Sequence, residues 1–252
     1  NALTIPSGEK TFNVMGGNKN IDILCVGEAL VDFIGHQPDM SIAQTKDYHR
    51  HIGGSPTNVA MNMTRLGLNA SLVSTIGNDG LGDYILERLK EVNVETSHIA
   101  RHRLLPTSTV FISRSSGTPD FIPYLFADSE INENQITASI LKQSRVFHTT
   151  SFALSRRPAQ TTILKKSEEA HELGCRLSID INYSEKIWPD RDEAERVLNA
   201  YCKNNPLVKI SEDDAERLFG KDIHHYEIFD HFHDKGVDII CLTLGKDGVV
   251  LS

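Results

Sequence analysis

Short apolar segments alternate with amphipathic segments along most of the chain. The apolar segments are rich in Val, Ile and Leu, and they predict strands over residues 21–30, 70–77, 144–150, 175–182, 206–211 and 237–245. Apolar residues recur at helical spacing between them, which predicts helices over 58–67, 81–94, 159–174, 191–204, 212–220 and 226–236. Strands that alternate with helices of this length indicate βαβ units. The fold class expected is therefore α/β, with a mostly parallel sheet covered by helices on both faces.

Two stretches, residues 35–52 and 104–127, interrupt this alternation and have the character of β-hairpins. In the second stretch, residues 109–113 alternate in polarity, the chain turns at 115–120, and a further apolar segment follows. A small antiparallel hairpin beside a parallel sheet is typical of a lid that closes over a cleft and excludes water. A surface hairpin without a function is the alternative.

Neither an internal repeat nor a low-complexity linker divides the chain, so residues 21–252 are predicted to form one core domain that carries both lid segments. Residues 1–20 are interpreted as a leader or as added residues, with Met15 as a candidate start. The last predicted strand is followed by a Lys-Asp-Gly turn and the beginning of another strand. Because a covered sheet should not end on a bare apolar strand, we expect the C-terminal part of the domain to lie beyond Ser252.

Composition and charge exclude several classes of protein. The formal net charge is -8 and the isoelectric point is about 5.8, whereas a nucleic-acid-binding surface needs clustered Lys and Arg. No apolar run approaches the roughly 20 residues that span a membrane. The four cysteines are scattered without a C-x-x-C motif. We therefore expect neither a nucleic-acid partner nor a membrane partner, and a cytoplasmic location.

The conspicuous motif is a glycine-rich turn, Gly53-Gly54-x-Pro56-x-Asn58. The common phosphate-binding motifs G-x-G-x-x-G and G-x-x-x-x-G-K-[ST] do not occur, which disfavours an NAD-linked oxidoreductase and a Walker-type nucleotide site. Two glycines between a strand and a helix let the backbone approach a ligand closely, and Asn58 offers a donor and an acceptor to hydroxyl groups. A tight turn with Asn58 as the helix cap is the alternative.

This turn, with Gly67 and Gly77 after it, resembles the first signature of the ribokinase-like (PfkB) family of sugar kinases, and the resemblance to fructokinases runs over residues 21–252. It implies a three-layer α/β sandwich with a small antiparallel β lid. It also implies Mg²⁺-dependent transfer of the γ-phosphoryl group of ATP to a primary sugar hydroxyl. The substrate-binding residues that it implies are Asp32, Gly53, Gly54, Asn58, Phe121, Asp180 and Asn182.

The same resemblance implies a nucleotide site made by Lys209, Ser211, Thr243, Gly245 and Gly248, with Mg²⁺ held by Glu212 and Asp214. Three positions depart from the family pattern: Ser184 replaces an Arg, Ser211 replaces an Asn, and Asp214 replaces a Glu. The Gly-rich segment whose last Asp takes the hydroxyl proton is expected beyond Ser252, so no catalytic residue is assigned within the chain.

D-Fructose is the sugar that we expect first. The resemblance implies that kinases of keto-acid sugars present Arg side chains to the carboxylate, from the lid and from the position of Ser184. Here the segment that begins at Phe121 has no Arg, which favours a neutral sugar. The alternatives are a 2-keto-3-deoxygluconate kinase, another sugar or nucleoside kinase, or a non-catalytic sugar- or nucleotide-binding module. The expected partners are the sugar, ATP and a second copy of the chain bound through the lid.

Overall fold

A computed structural model describes residues 19–115 and 120–252, so most of the predicted leader lies outside the described residues. The strands are β1 (Ile21–Val26), β2 (Leu30–Pro38), β3 (Tyr48–Gly53), β4 (Ala70–Gly77), β5 (Ile99–His102), β6 (Thr109–Arg114), β7 (Phe121–Tyr124), β8 (Ser144–Thr150), β9 (Arg176–Ile181), β10 (Leu207–Ser211), β11 (Ile239–Thr243) and β12 (Val249–Leu251). The α-helices are α1 (Ser55–Arg65), α2 (Gly80–Glu91), α3 (Ala138–Gln143), α4 (Ala159–Glu172), α5 (Arg191–Cys202), α6 (Glu212–Phe219) and α7 (His225–His233). In the described ranges, no helix is long and apolar enough to cross a membrane.

Eight strands form one large sheet in the order β12-β11-β10-β9-β8-β1-β4-β5. The neighbouring strands are parallel except for β11 and β12. Successive side chains of a strand point to opposite faces, so Leu24 of β1 packs in a buried cluster with α3–α7 and Cys25 packs in a second cluster with α1 and α2. Helices thus lie on both faces of the sheet. The prediction of a three-layer α/β sandwich is confirmed.

The predicted elements match best where the chain is buried on both faces. All eight residues of β4 are buried, and this strand has the predicted bounds. In α5, Ala194, Val197, Leu198 and Tyr201 are buried at helical spacing. The short elements β5 and α3 were not predicted, since their four and six residues are too few to show a period.

A second sheet of four strands, in the order β3-β2-β6-β7, is formed by the two segments predicted as a lid, and we use that name for it below. Its outer pairs, β2–β3 and β6–β7, are antiparallel, while the central pair, β2–β6, is parallel. The lid begins at Leu30, earlier than the predicted residue 35, because the chain leaves the large sheet at Gly27, whose φ is +153°. The turn predicted at residues 115–120 lies largely outside the described residues.

One face of the lid is aromatic. Phe33 stacks on Phe111 with ring centroids 5.0 Å apart, and Tyr48 and Tyr124 meet Phe111 edge-on at 5.2 and 6.0 Å. Offset and edge-on ring pairs stabilise a sheet beyond their buried area. The homodimer through the lid stays a prediction.

The Asp79 carboxylate fixes the segment that leads from the core into β6. It accepts hydrogen bonds from the backbone N–H groups of Leu81 and Gly82 (3.0 and 2.9 Å), which caps α2, and from the N–H and hydroxyl of Thr107 (both 2.8 Å). These donors favour the ionised form and hold the pKa of Asp79 below its usual value although partial burial acts in the opposite direction. One side chain therefore joins a helix start to the base of the lid.

We expect Asp79→Ala to lower the free energy of unfolding by about 1–2 kcal/mol, the usual cost of losing a helix N-cap. Since the pKa of Asp79 is lowered in the folded protein, its contribution is present at neutral pH and is lost as the pH falls through that pKa. Urea unfolding of the full-length protein measures the effect. Glu87→Ala, an exposed position of α2, is the control and should change stability by less than about 0.5 kcal/mol. Equal stability of the two variants would contradict the capping role.

Candidate active site

Polar side chains gather where the parallel strands β8–β11 reach their carboxyl ends. Ligands of open α/β sheets bind at this edge. Asp180 lies at the end of β9, in register with Thr150 on one side and Lys209 on the other. Its Oδ2 accepts a hydrogen bond of 3.0 Å from the Ser55 hydroxyl, and Lys209 Nζ lies 2.9 Å from Oδ1. The predicted sugar residue Asp180 and the predicted nucleotide residue Lys209 are thus in direct contact.

The glycine pair of the sequence motif makes room for two groups of the protein itself. A Cβ at Gly53 would overlap the carboxyl group of Asp32, which faces it from β2. A Cβ at Gly54 would overlap the carbonyl oxygen of Glu28, and Gly54 also has a φ of +100°. These two positions therefore need glycine, because other segments of the chain lie too close to leave room for a Cβ.

Asp32 lies on the lid face that also carries Ile112 and Phe121, as the strand register shows. Burial raises its pKa to about 6, while the nearby His51 acts in the opposite direction. Near neutral pH the carboxylate is therefore ionised but incompletely solvated. Such a group gains from hydrogen-bond donors such as sugar hydroxyls.

Glu28, which the sequence analysis did not assign to the site, is its most buried carboxyl group. Its side chain is 1% exposed. Oε1 accepts a hydrogen bond of 3.0 Å from the backbone N–H of Ser55 at the start of α1, and Oε2 lies 2.9 Å from the Thr150 hydroxyl. Burial raises the pKa of Glu28 to about 8, and the hydrogen bonds only partly offset it. The neutral acid therefore prevails at pH 7. A charged residue inside an apolar run was the available signal in the sequence.

The other predicted sugar residues lie around this centre in different ways. The side-chain oxygen of Asn182 accepts from the Ser151 hydroxyl and the Phe152 N–H at 3.0 and 3.1 Å, which fixes the orientation of its amide. Asn58 is exposed on the first turn of α1, whose N-cap is Gly54, so the alternative of Asn58 as the cap is wrong. Phe121 lies at the start of β7.

A cleft of about 650 Å³ separates the lid from the segment that follows Asn182. The residues that line it are Ile112, Asp120, Phe121, Ser184, Glu185, Lys186 and Arg217. Lys186 Nζ donates a 2.8 Å hydrogen bond to the carbonyl oxygen of Phe121 and forms an ion pair with Asp120. The contact of Lys186 with Asp120 and Phe121 therefore connects the core to the lid at one side of the cleft.

A second cleft, of about 500 Å³, lies at the ends of β10 and β11. It is lined by the predicted nucleotide residues Ser211, Thr243, Gly245 and Gly248, together with Glu212, Asp213, Leu244, Lys246 and Asp247. The two glycines have φ values of +55° and +104°. A Thr hydroxyl and the backbone amides of such a glycine turn are suitable donors to phosphate oxygens. Thus four of the five predicted nucleotide residues share a cleft, while Lys209 contacts Asp180.

The two residues predicted to hold Mg²⁺ have separate protein partners. Glu212 Oε1 lies 3.0 Å from Nε2 of His225. Asp214 accepts from the Ser211 hydroxyl at 2.5 Å and from Arg217 at 2.9 Å. Among the residues that the structure describes, no group of three or more His, Cys, Asp or Glu side chains is placed to hold a metal. Asp214 does not fit a direct ligand in this arrangement, while Glu212 lines the nucleotide cleft and is the better candidate. Mg²⁺ commonly takes only one or two protein carboxylates and keeps several waters.

Comparison with known proteins gives consistent matches. The pfkB family of carbohydrate kinases matches residues 20–252. An ATP-dependent 6-phosphofructokinase of Thermoanaerobacterium thermosaccharolyticum is 34% identical over 235 residues, which are 93% of this chain and 72% of the relative. A fructokinase structure from Halothermothrix orenii has a TM-score of 0.85 at 36% identity, over 92% of this chain and 82% of that one. An uncharacterised sugar kinase of Pyrococcus horikoshii in complex with ATP has a TM-score of 0.79 at 27% identity, over 91% and 73% of the two chains.

Two replacements of Glu28 test whether this buried position requires a neutral side chain or a side chain that forms hydrogen bonds. Glu28→Ala leaves the buried donors of Ser55 and Thr150 without a partner, at a cost of about 1–3 kcal/mol in the free energy of unfolding. Glu28→Gln keeps the shape and the neutral state, so it should cost less.

The pH dependence provides the sharper test. The pKa of Glu28 rises from its usual 4.5 to about 8 in the folded protein. Its contribution to stability is therefore fully present below pH 4.5 and is lost as the pH rises through about 8. Glu28→Gln should lose less stability across this interval, which urea unfolding between about pH 5 and pH 9 measures. The same decline in the wild type and in Glu28→Gln would show that Glu28 is ionised when folded.

Proposed function

Because the chain belongs to the pfkB family of carbohydrate kinases, we propose that it phosphorylates D-fructose with ATP. The observation that carries this proposal is the contact between Asp180 and Lys209. Asp180 ends β9, and the segment after that strand lines the lid cleft, while Lys209 lies two residues before Ser211, which lines the glycine-turn cleft. The contact therefore lies at the sheet edge where ligands of such sheets bind. A sugar hydroxyl and a γ-phosphoryl group bound on either side of this contact would approach each other.

The sugar is proposed to bind between the lid and the core. Asp32 accepts hydrogen bonds from hydroxyl groups, Asp180 and Asn182 contact the sugar from the core side, and Phe121 covers an apolar face of the ring. Each carboxylate oxygen can accept more than one hydrogen bond, which suits a ligand with many donors. Lid closure would exclude water, whose attack on ATP would compete with that of the sugar hydroxyl.

ATP is proposed to lie in the cleft of about 500 Å³, with its phosphates at Thr243 and at the amides of Gly245 and Gly248. The complex of the Pyrococcus horikoshii sugar kinase with ATP supports ATP as the phosphoryl donor. Glu212 would hold Mg²⁺ when the ion is bound, and Mg²⁺ would supply charge neutralisation at the phosphates. Lys209, paired to Asp180, places a positive charge between the two substrates.

A neutral ketohexose is favoured over a charged sugar because the cations of the lid cleft are paired. Lys186 forms an ion pair with Asp120, and Arg217 pairs with Asp214. A ketohexose phosphate is the second candidate, since a relative 34% identical is a 6-phosphofructokinase. 2-Keto-3-deoxygluconate would bring a carboxylate to the same cleft and is placed third.

A coupled ADP-release assay with purified full-length protein tests the substrate. We expect the kcat/KM for D-fructose to exceed that for fructose 6-phosphate and for 2-keto-3-deoxygluconate by at least about tenfold, since an unpaired buried anion costs more than about 1.4 kcal/mol. Preference for either anionic sugar would show that Lys186 or Arg217 exchanges its carboxylate partner for the substrate. ADP release with none of the sugars, or only with a nucleoside, would contradict the proposal.

Asp32→Ala should weaken sugar binding by about 1–3 kcal/mol and leave ATP binding almost unchanged, because Asp32 lies on the lid and away from the nucleotide cleft. Asp32→Asn is the control of equal shape, and it isolates the loss of the charge. With a pKa of about 6, the wild-type kcat/KM for fructose should fall as the pH drops below 6 and Asp32 is protonated. An unchanged KM for fructose in both variants would remove Asp32 from the sugar site.

A further inference from the structure

The two cations in the lid cleft are each bound to a carboxylate of the chain. Arg217 Nη1 lies 2.9 Å from Asp214 Oδ1, and its Nη2 lies 3.9 Å from Asp213. Lys186 is paired with Asp120. An anionic substrate would have to displace one of these carboxylates before it gained a charged partner.

The Lys186 ammonium group also connects the core to the free edge of the lid. It donates to the carbonyl oxygen of Phe121 at 2.8 Å and lies 4.9 Å from the centroid of the Phe121 ring. The hydrogen bond from Lys186 holds the pKa of Asp120 below its usual value, which favours the carboxylate form of Asp120. Three contacts of one side chain therefore fix the start of β7 against the segment 183–187.

The opposite side of the lid has its own attachment to the core. The Arg50 guanidinium lies 3.9 Å from the centroid of the Tyr84 ring on α2, and the Tyr84 hydroxyl donates to the Arg50 carbonyl at 3.4 Å. Lys186 thus contacts the β7 edge of the lid, while Arg50 attaches the β3 edge to α2. Ile112 and Phe121, which share the lid face of Asp32, line the cleft.

The charge of the cleft also opposes anions. Its lining carries Asp120 and Glu185 against Lys186 and Arg217, and Asp214 adds a further carboxylate at Arg217. The net charge of these five side chains is negative when all are ionised. Like charges brought together in a cleft cost free energy, so a phosphate or carboxylate on the sugar is disfavoured unless a cation is released.

We propose that the Asp120–Lys186 ion pair is a specificity determinant of the sugar site. It holds the lid edge on the core and keeps Lys186 away from anionic groups of the substrate, so that neutral ketohexoses are accepted and sugar phosphates and sugar acids are rejected. This inference rests on the proposed sugar kinase function. The pair is solvent-exposed, with side chains 45% and 61% accessible, and such pairs contribute little to stability. Its removal should therefore change specificity without unfolding the protein.

Asp120→Asn, Lys186→Met and Lys186→Arg in the full-length protein test the proposal, with D-fructose and fructose 6-phosphate as substrates. Glu133→Gln is the matched control, since Glu133 pairs with Lys165 at 2.7 Å in a similarly exposed ion pair outside the cleft lining. The readouts are kcat and KM for each sugar. Binding is followed independently through Trp188, the single tryptophan, which lies buried two residues after Lys186.

Asp120→Asn frees the Lys186 cation, so the ratio of kcat/KM for fructose 6-phosphate to that for fructose should rise by about tenfold or more. Lys186→Met should raise the KM for fructose with little change in kcat and give no gain for fructose 6-phosphate. Lys186→Arg keeps the charge and should keep the wild-type KM for fructose. The control should match the wild type in every readout.

An unchanged ratio in Asp120→Asn, or an equal gain in Lys186→Met, would overturn the proposal. A wild type that already prefers fructose 6-phosphate would also overturn it, while leaving the sugar kinase function intact. Absence of turnover on any sugar would contradict the proposed function alone, because the Trp188 titration still compares the affinities of wild type and Asp120→Asn for both sugars. An unchanged affinity ratio in that titration would then overturn the proposal as well.

Discussion

The buried carboxyl group of Glu28 holds together the three chain segments that build the candidate sugar site. It lies between β1 and the first lid strand, accepts from Ser55 at the start of α1, and contacts Thr150 at the end of β8. Its backbone oxygen accepts a further hydrogen bond of 2.8 Å from Thr57. A neutral acid suits this position because it offers both a donor and an acceptor without the cost of a buried charge. Ser55 in turn donates to Asp180, so the orientation of the Asp180 carboxylate depends on the hydrogen bonds of Glu28.

Much of the fold follows from patterns that act over short distances. Strand β4 was predicted because burial on both faces leaves a short, mostly apolar run, and helix α5 because burial of one face imposes a helical period. The small sheet was predicted, but its first strand begins at Leu30 and not at residue 35, since nothing local marks Leu30 as leaving the large sheet. The glycine pair was recognised as a place of close approach, yet the groups that approach are Asp32 and Glu28. That assignment requires knowing which strands are neighbours, which the local sequence does not contain.

The candidate site, too, could be predicted from the sequence only in part. Residue types such as Asp180, Lys209 and Thr243 could be placed at strand ends by resemblance and spacing. Their partners could not, because the Lys209–Asp180 and Lys186–Asp120 pairs join segments that are distant along the chain. These ion pairs decide which charged side chains are available to bind a ligand. Asp214, assigned to Mg²⁺ by resemblance, is held by Ser211 and Arg217, which each lie only three residues away along the chain.

The parallel pairing of β2 with β6 has a consequence for the order in which the chain folds. The two strands are adjacent in the lid, but β3, α1, β4, α2 and β5 lie between them in sequence. Contacts between such distant segments form slowly, because the loop between them must lose its entropy before the pairing is gained. Helix α1 and strand β4 can assemble on β1 through shorter loops. The pairing of β1 with β8 encloses a still longer stretch of chain, so we expect the lid to form after the β1–α1–β4 unit and before the large sheet is complete. In a nascent chain the lid strands also emerge before β10 and β11, which carry the candidate phosphate-binding turn.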